Sequence, residues 1–340
     1  EYVSLSGMNK ENDMFMRDAV INDYVPQIEY VGGYLAYRAG QSFFSFLADY
    51  YGKEKIGKLF NEIKSSGDMH RGFKNTFGIE LEKLNEKWHK YLNQTYWSDS
   101  KLRTEVTDFS KQLTDITKDG GFYNIAPEIS PDGKYFLFIS NRNDLFDVFL
   151  ARTEDGKVIE TIIEGQTTPD FEELQVLTPG LSWAPDGRRA AISVKAGSED
   201  AIFIFNVKSG DRQKLPVHMG NISYVSWSPA GNELAFVGTN NKQSDIYLYD
   251  ISTGTLQNLT DDIFSDSEPT WSPDGEYVYF TSDRGSFTEN SMIPADFNMF
   301  DYDNKQKDIY SVNTDTKELK RITNIPFSNQ SYAKLSQDGN

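Results

Sequence analysis

Ser130-Pro131-Asp132-Gly133 recurs along the chain as Ala184-Pro185-Asp186-Gly187, Ser228-Pro229-Ala230-Gly231 and Ser272-Pro273-Asp274-Gly275. A degraded copy stands at Ser336-Gln337-Asp338-Gly339. Proline presets φ at the first central turn position, aspartate tolerates the next, and glycine takes the position that needs φ > 0. Each copy therefore predicts a tight connection between two strands. Successive prolines stand 54, 44 and 44 residues apart, and Gln337 follows Pro273 by 64.

The flanks repeat too. Leu181-Ser182-Trp183, Val225-Ser226-Trp227 and Pro269-Thr270-Trp271 precede three of the turns. Alternating strands such as Tyr135-Phe136-Leu137-Phe138 and Glu233-Leu234-Ala235-Phe236 follow them. A third strand reads Asp245-Ile246-Tyr247 or Asp308-Ile309-Tyr310, and a fourth ends at Leu259-Thr260 or Ile322-Thr323. Four short strands in roughly 40–45 residues is the period of a propeller blade. The spacing predicts four blades, roughly 125–178, 179–216, 222–260 and 267–323, and a truncated fifth over 330–340. Blades apolar on both faces must stack on one another, so Trp183, Trp227 and Trp271 are expected between them.

The first third reads as helix. Ala36, Phe43, Phe44, Leu47, Tyr50 and Tyr51 recur at helical spacing before Gly52. Ile56, Leu59, Phe60 and Ile63 stripe a second helix, ended by Ser65-Ser66-Gly67. Asp68 caps a third, carrying Met69 and Phe73 and closed by Phe77-Gly78; Leu81, Leu84, Trp88, Tyr91 and Leu92 stripe a fourth. The expected organisation is thus multidomain, α plus all-β. A helical bundle occupies 1–95. A linker with a strand-like piece near Val106 to Leu113 occupies 96–121, and an incomplete propeller 122–340.

The 340 residues carry 34 basic and 51 acidic side chains, a formal charge of −17. That balance repels phosphate, and no Lys/Arg cluster offsets it, so nucleic acid is not an expected partner. No run approaches the ~18 consecutive apolar residues of a spanning helix, so no transmembrane segment is expected. Zero cysteines exclude disulfides and thiolate chemistry. The chain opens at Glu1 without Met and ends inside a repeat, so it reads as part of a longer protein.

The repeats resemble the PD40/TolB-type (WD40-like) β-propeller family, whose pattern runs SPDG, an aromatic-ending strand, Ser-Asp/Asn-Arg, Asp-Ile-Tyr and Leu-Thr. Ser140-Asn141-Arg142, Ser282-Asp283-Arg284, Asp245-Ile246-Tyr247 and Leu259-Thr260 supply it here, over about 113–340. The second blade departs, with Ser193-Val194-Lys195 and Leu215-Pro216 at the corresponding places. This resemblance implies a protein or peptide partner and a bacterial envelope setting, periplasmic or cell-surface.

Residues 1–95 resemble the C-terminal lobe of a peptidase-MA-like (gluzincin) zinc metallopeptidase, through Tyr37-Arg38-Ala39-Gly40-Gln41-Ser42-Phe43, Tyr51-Gly52, Phe77-Gly78, Trp88 and Tyr91-Leu92. Glu1-Tyr2 resembles the end of that family's Glu-Gly-(Leu)-Ala-Glu-Tyr segment. The resemblance implies that HExxH and the glutamate ligand lie upstream of Glu1. Zinc would then belong to the longer parent, not to this span.

Zinc needs His, Cys or carboxylate ligands at workable spacing. His70, His89 and His218 are scattered, with His89 expected to face solvent, and no HExxH, G-x-S-x-G or P-loop is present. No catalytic residue, metal ligand or cofactor is expected in this span. Asp301-Tyr302-Asp303-Asn304 and Asp261-Asp262 with Asp266 offer the oxygen donors that calcium takes, but both lack the glycine and distal glutamate of a calcium loop. Two insertions, Glu164 to Val176 and Arg284 to Lys307, fall on repeat loops, which usually share one face and often bind. The candidate binding residues are Arg142, Asn143, Asp283, Arg284, Phe297, Phe300 and Tyr302.

The function expected is a non-catalytic protein- or peptide-interaction module. The alternatives are the C-terminal portion of a zinc metallopeptidase, and a propeller holding a glycan or small ligand in its channel through Arg142 and Arg284.

Overall fold

The computed structural model describes residues 2, 7–22, 24–100, 104, 106–239, 243–302, 304, 306–325 and 328–336. Glu1, Asp303 and the Gln337-Asp338-Gly339 end of the fifth repeat lie outside the described residues. Two compact units divide the chain, Glu1–Ser110 and Lys111–Asn340.

The first unit is helical: α1 (Lys10–Ile21), a 3-10 turn (Ile28–Tyr30), α2 (Gly33–Tyr51), α3 (Glu54–Ser66), α4 (Met69–Phe77) and α5 (Leu81–Ser100). Glycines stop the helices where the stripes predict. Gly67 (φ 66°) and Gly78 (φ 72°) adopt the left-handed conformation that a side chain disfavours. The Asp68 carboxylate caps α4 by accepting from Arg71 N–H at 2.8 Å. Phe43, Phe46, Leu47, Leu59, Leu84 and Trp88 fill one core. Phe43 meets Trp88 edge-on at 5.4 Å, and the Trp88 indole donates to Ser42 Oγ at 3.2 Å.

Two features of this unit escape the stripe reading. The stripe assigns no helix before Tyr34, yet α1 forms, capped by Asn9, and buries Asn12, Met16, Ala19 and Val20. And α5 runs past Leu92: buried Tyr96 donates its hydroxyl to Asp13 Oδ1 at 2.9 Å, tying the helix end to α1. The strand-like piece expected from Val106 is a 3-10 turn, Val106–Asp108.

The second unit starts with a single helical turn, α6 (Ile116–Asp119), and then builds four sheets. They are β1–β4 (Asn124–Ile129, Tyr135–Asn143, Leu145–Arg152, Val158–Ile163) and β5–β8 (Gly180–Trp183, Arg189–Ala196, Glu199–Asn206, Arg212–Lys214). The others are β9–β12 (Asn221–Trp227, Glu233–Thr239, Ser244–Asp250, Leu256–Asn258) and β13–β16 (Asp266–Trp271, Tyr277–Ser282, Asp308–Asn313, Leu319–Arg321). Each is an antiparallel meander in chain order. First strands pack in succession, β1 on β5, β5 on β9 and β9 on β13. Apolar cores lie between neighbouring sheets: Leu137, Ile139, Ile192 and Phe203; then Ala191, Ile204, Trp227 and Phe236; then Val237, Leu248, Phe280 and Tyr310. These are the blades of a propeller, as the repeat predicts.

The recurrent turn does what its residues dictate. Gly133 N–H closes onto Ser130 O at 2.8 Å, Ser130 Oγ donates to Asp132 Oδ1 at 2.7 Å, and the same hydroxyl accepts from Tyr135 N–H at 3.0 Å. Where the second blade has Ala184 and no hydroxyl, Asp186 Oδ1 takes over, accepting from Arg188 and Arg189 N–H at 2.8 and 3.0 Å. Leu-Thr and Asp-Ile-Tyr are also one device: Thr260 Oγ1 accepts from Ile246 N–H, and Thr323 Oγ1 from Ile309 N–H.

The first insertion is a built part of the core. Glu172 N–H donates to Lys195 O at 3.0 Å, Phe171 and Leu174 are buried, and Arg212 lies over the Phe171 ring at 4.9 Å.

Candidate functional site

The first strands of three blades carry the same irregularity. Register slips between Ile125 and Glu128 on β1, opposite Ala235 and Val237 on β9, and between Ser267 and Thr270 on β13. At each slip one residue has positive φ: Ala126 (51°), Tyr224 (53°) and Glu268 (58°). Each stands four places before its turn serine or alignment equivalent. Tyr332, four places before Ser336, repeats the conformation at 54°. Such bulges bend a strand and re-aim a side chain, and they cost strain for a residue other than glycine. The second blade differs: β5 stays in register and starts at Gly180. A Cβ there would meet Ser193 Oγ and stand 2.5 Å from Val225 N.

The three bulge residues and Tyr332 line one cavity of about 460 Å³, walled by the first strands of all four blades and by Ala333 and Lys334. Pro127, Pro179 and Pro269 also line it and carry no backbone N–H. Lys334 Nζ pairs with Glu128 Oε1 at 3.0 Å. Glu268 Oε2 accepts from Thr281 Oγ1 and from Tyr332 N–H, both at 2.7 Å. The Tyr224 and Tyr332 rings meet at 6.5 Å.

Burial raises the Glu128 carboxyl above the usual carboxylate range, although Lys334 beside it pulls the other way. Glu128 keeps 26% of its side chain accessible and lines the cavity, but protein surrounds the rest. The Tyr224 phenol is raised by burial first, then by Tyr332 and Glu268. The site therefore joins two carboxylates, two phenols and one ammonium. Its carboxylates and phenols suit a ligand with hydrogen-bond donors or positive charge.

Arg142 and Arg284 lie elsewhere, which corrects their reading as channel ligands. Arg284 is 1% exposed. Its Nη2 donates to both Asp266 oxygens and its Nη1 to Asp262 Oδ2, all at 2.7 Å, and its Nε donates to Ser282 Oγ at 2.9 Å. Phe264, Phe280 and Tyr310 surround the guanidinium within 6 Å. Burial lifts the Asp262 carboxyl to about 6 against the pull of Arg284. The Asp262/Asp266 pair, a candidate calcium ligand set in the sequence, is thus joined by a guanidinium. Arg142 repeats the pattern on the first blade, with Asn124 at 3.3 Å, Asp119 at 3.7 Å and the Phe138 and Phe149 rings beneath.

The other predicted residues scatter. Asp283 is buried, accepts from Ser265 N–H at 2.9 Å, and is raised by that burial. Asn143 ends β2 beside the β2–β3 turn, opposite Leu145. Phe297 and Tyr302 pack with Phe264 and Phe287 at 5.3–6.0 Å, so they anchor the second insertion. Phe300 stands 97% exposed at its tip. Trp183 and Trp271 staple blades through indole bonds to Glu128 O and Ser226 O, as expected of inter-blade residues. His218 pairs with Glu199, and His89 is half-buried against Trp88, not solvent-facing as expected.

Residues 171–289 match the family described as the TolB beta propeller domain (PD40). Similar solved structures include TolB from Acinetobacter baumannii, at 16% identity and TM-score 0.45, covering 59% of this chain and 43% of that one. A TolB-type protein of Agrobacterium tumefaciens has 18% identity and TM-score 0.46, covering 59% and 66%. Hydrazine synthase of Kuenenia stuttgartiensis has 17% identity and TM-score 0.40, covering 58% and 53%. The chain thus spans 43–66% of the length of these proteins. No curated protein matches it in sequence. No described helix is long and apolar enough to cross a membrane.

Proposed function

We propose that the propeller is a non-catalytic interaction module of a bacterial envelope protein, periplasmic or cell-surface, that takes an extended peptide of a protein partner at the axial cavity. The observation that carries this reading is the repeated bulge. Three blades accept a strained backbone at equivalent positions, and each strained residue lines the same cavity. Strain kept where the surrounding structure holds it is a mark of functional surfaces. The excess of carboxylates over ammonium groups favours a cationic peptide, and the formal charge of −17 adds long-range attraction for one.

The test is site-specific photo-crosslinking in cells, with benzoylphenylalanine in place of Tyr224 or, as comparator, Phe300. A partner captured from position 224 and not from 300 supports the reading. Capture from 300 alone places the binding surface on the insertion loop instead.

The metallopeptidase alternative rests on the helical unit, where Phe43, Tyr51, Phe77, Trp88 and Tyr91, residues that carry that resemblance, pack in one core. Its test is the coding sequence upstream of Glu1. HExxH followed by a Glu-Gly-x-Ala segment running into Glu1 supports it, and a signal peptide abutting Glu1 refutes it.

A further inference from the structure

We infer that Glu29, His70 and Glu82 form a binding site for a divalent first-row transition cation on the helical unit. The three come from separate elements. Glu29 lies in the 3-10 turn Ile28–Tyr30, His70 in the first turn of α4, and Glu82 in the first turn of α5. Each is positioned by its own local device. Ile28 N–H donates to Asn85 Oδ1 at 2.9 Å and holds the turn on α5. The Asp68 cap fixes the start of α4, which sets His70. The Glu29 side chain is only 14% exposed, so its carboxylate has little freedom.

The donor set fits a metal. His70 Nε2 stands 3.2 Å from Glu29 Oε1 and the other ring nitrogen, Nδ1, stands 3.8 Å from Glu82 Oε1; a single cation takes only one of these nitrogens. One donor atom from each residue lies within 4.8 Å of the others. Ligands bound to zinc at about 2.0–2.2 Å in a tetrahedron stand roughly 3.3–3.6 Å apart, so the donors close by up to about 1.5 Å through rotation of the exposed His70 and Glu82 side chains. An imidazole with two carboxylates suits zinc, cobalt or nickel better than calcium or magnesium, which take oxygen donors. Three protein donors leave a position for water or for an outside ligand. Sequence spacing hid this group, since 41 residues separate Glu29 from His70 and its ligands share no motif. The three histidines do not gather; one of them gathers carboxylates instead.

The experiment is equilibrium dialysis of the full chain against Zn2+ at pH 7.5, with metal analysis and melting curves. The expected result is one zinc per chain, bound at least tenfold more weakly by His70→Ala and unchanged by His218→Ala. Zinc is also expected to raise Tm in the parent chain and not in His70→Ala, and millimolar Ca2+ is expected not to compete. Glu82→Gln, an exposed and conservative change, weakens binding in the same direction and serves if His70→Ala folds poorly. Failure to retain zinc overturns the proposal and leaves His70 as an ion-pair partner. Zinc retained equally by the parent chain, His70→Ala and Glu82→Gln places the metal elsewhere and also overturns it.

Discussion

Trp183 of the second blade donates its indole N–H to Glu128 O of the first blade at 2.8 Å, and Trp271 of the fourth repeats this to Ser226 O of the third at 3.1 Å. Trp227, at the equivalent place in the third blade, has a buried indole nitrogen without a partner among the described residues. The three substitutions to phenylalanine remove similar area but different bonds. Trp183→Phe and Trp271→Phe are expected to cost about 1 kcal/mol more than Trp227→Phe, the net value of a buried neutral hydrogen bond. Urea unfolding of the three variants checks this; equal costs would remove the stapling role.

Arg284 is a second structural anchor, because its fork satisfies two buried carboxylates. Arg284→Met leaves Asp262 and Asp266 uncompensated and is expected to destabilise by about 3–5 kcal/mol, read by denaturant midpoint. A loss below about 1 kcal/mol would mean that the network relaxes to water.

The same network sets a pH dependence. Burial raises the Asp262 carboxyl from 3.8 to about 6 in the folded state. Between those values the folded chain binds more protons than the unfolded one, so this group's contribution to stability falls as pH rises through that window. Asp262→Asn removes that slope. Its stability relative to the parent chain is therefore expected to rise from pH 4 to pH 6, whatever the offset from the lost ion pair. A difference flat across this range would show that the carboxyl titrates normally.

Much of the fold was legible because it rests on local chemistry. Pro-Asp-Gly turns, Leu-Thr hydroxyls and glycine helix stops act within a few residues, so they show in the sequence. The axial site was not legible, because it depends on backbone at one position. Ala126, Tyr224, Glu268 and Tyr332 hold one repeat position but no single chemical type, and only the coordinates show their shared conformation. Arg142 and Arg284 misled for the converse reason. An arginine repeated in register invites a binding role, yet Asp262 lies 22 residues from Arg284 and spends its charge on it. Helix α1 escaped because its buried face is Asn12, Met16, Ala19 and Val20, too small and too polar to make a stripe.

Close backbone approach gives two further variants. A Cβ on Gly180 would collide with Ser193 Oγ and the Val225 backbone, and one on Gly72 with the Ile63 side chain and, at 3.1 Å, its Cα. Gly180→Ala and Gly72→Ala are each expected to destabilise by about 1–3 kcal/mol by overpacking. Thermal melts above or equal to the parent chain would show that both sites have room.

The bulge makes an opposite prediction at Ala126, where φ is 51°. Glycine adopts that conformation without strain, so Ala126→Gly is expected to be neutral or stabilising by under about 1 kcal/mol, while a β-branched valine costs more than about 1 kcal/mol. The reverse order would argue for regular strand geometry there.

The most direct test of the axial site is fluorescence-polarisation titration of a cationic peptide selected from a random library on the full chain. The account predicts that Tyr224→Ala and Glu268→Gln each weaken binding at least tenfold while Phe300→Ala leaves it unchanged. Binding that survives both axial changes and disappears with Phe300→Ala would contradict it.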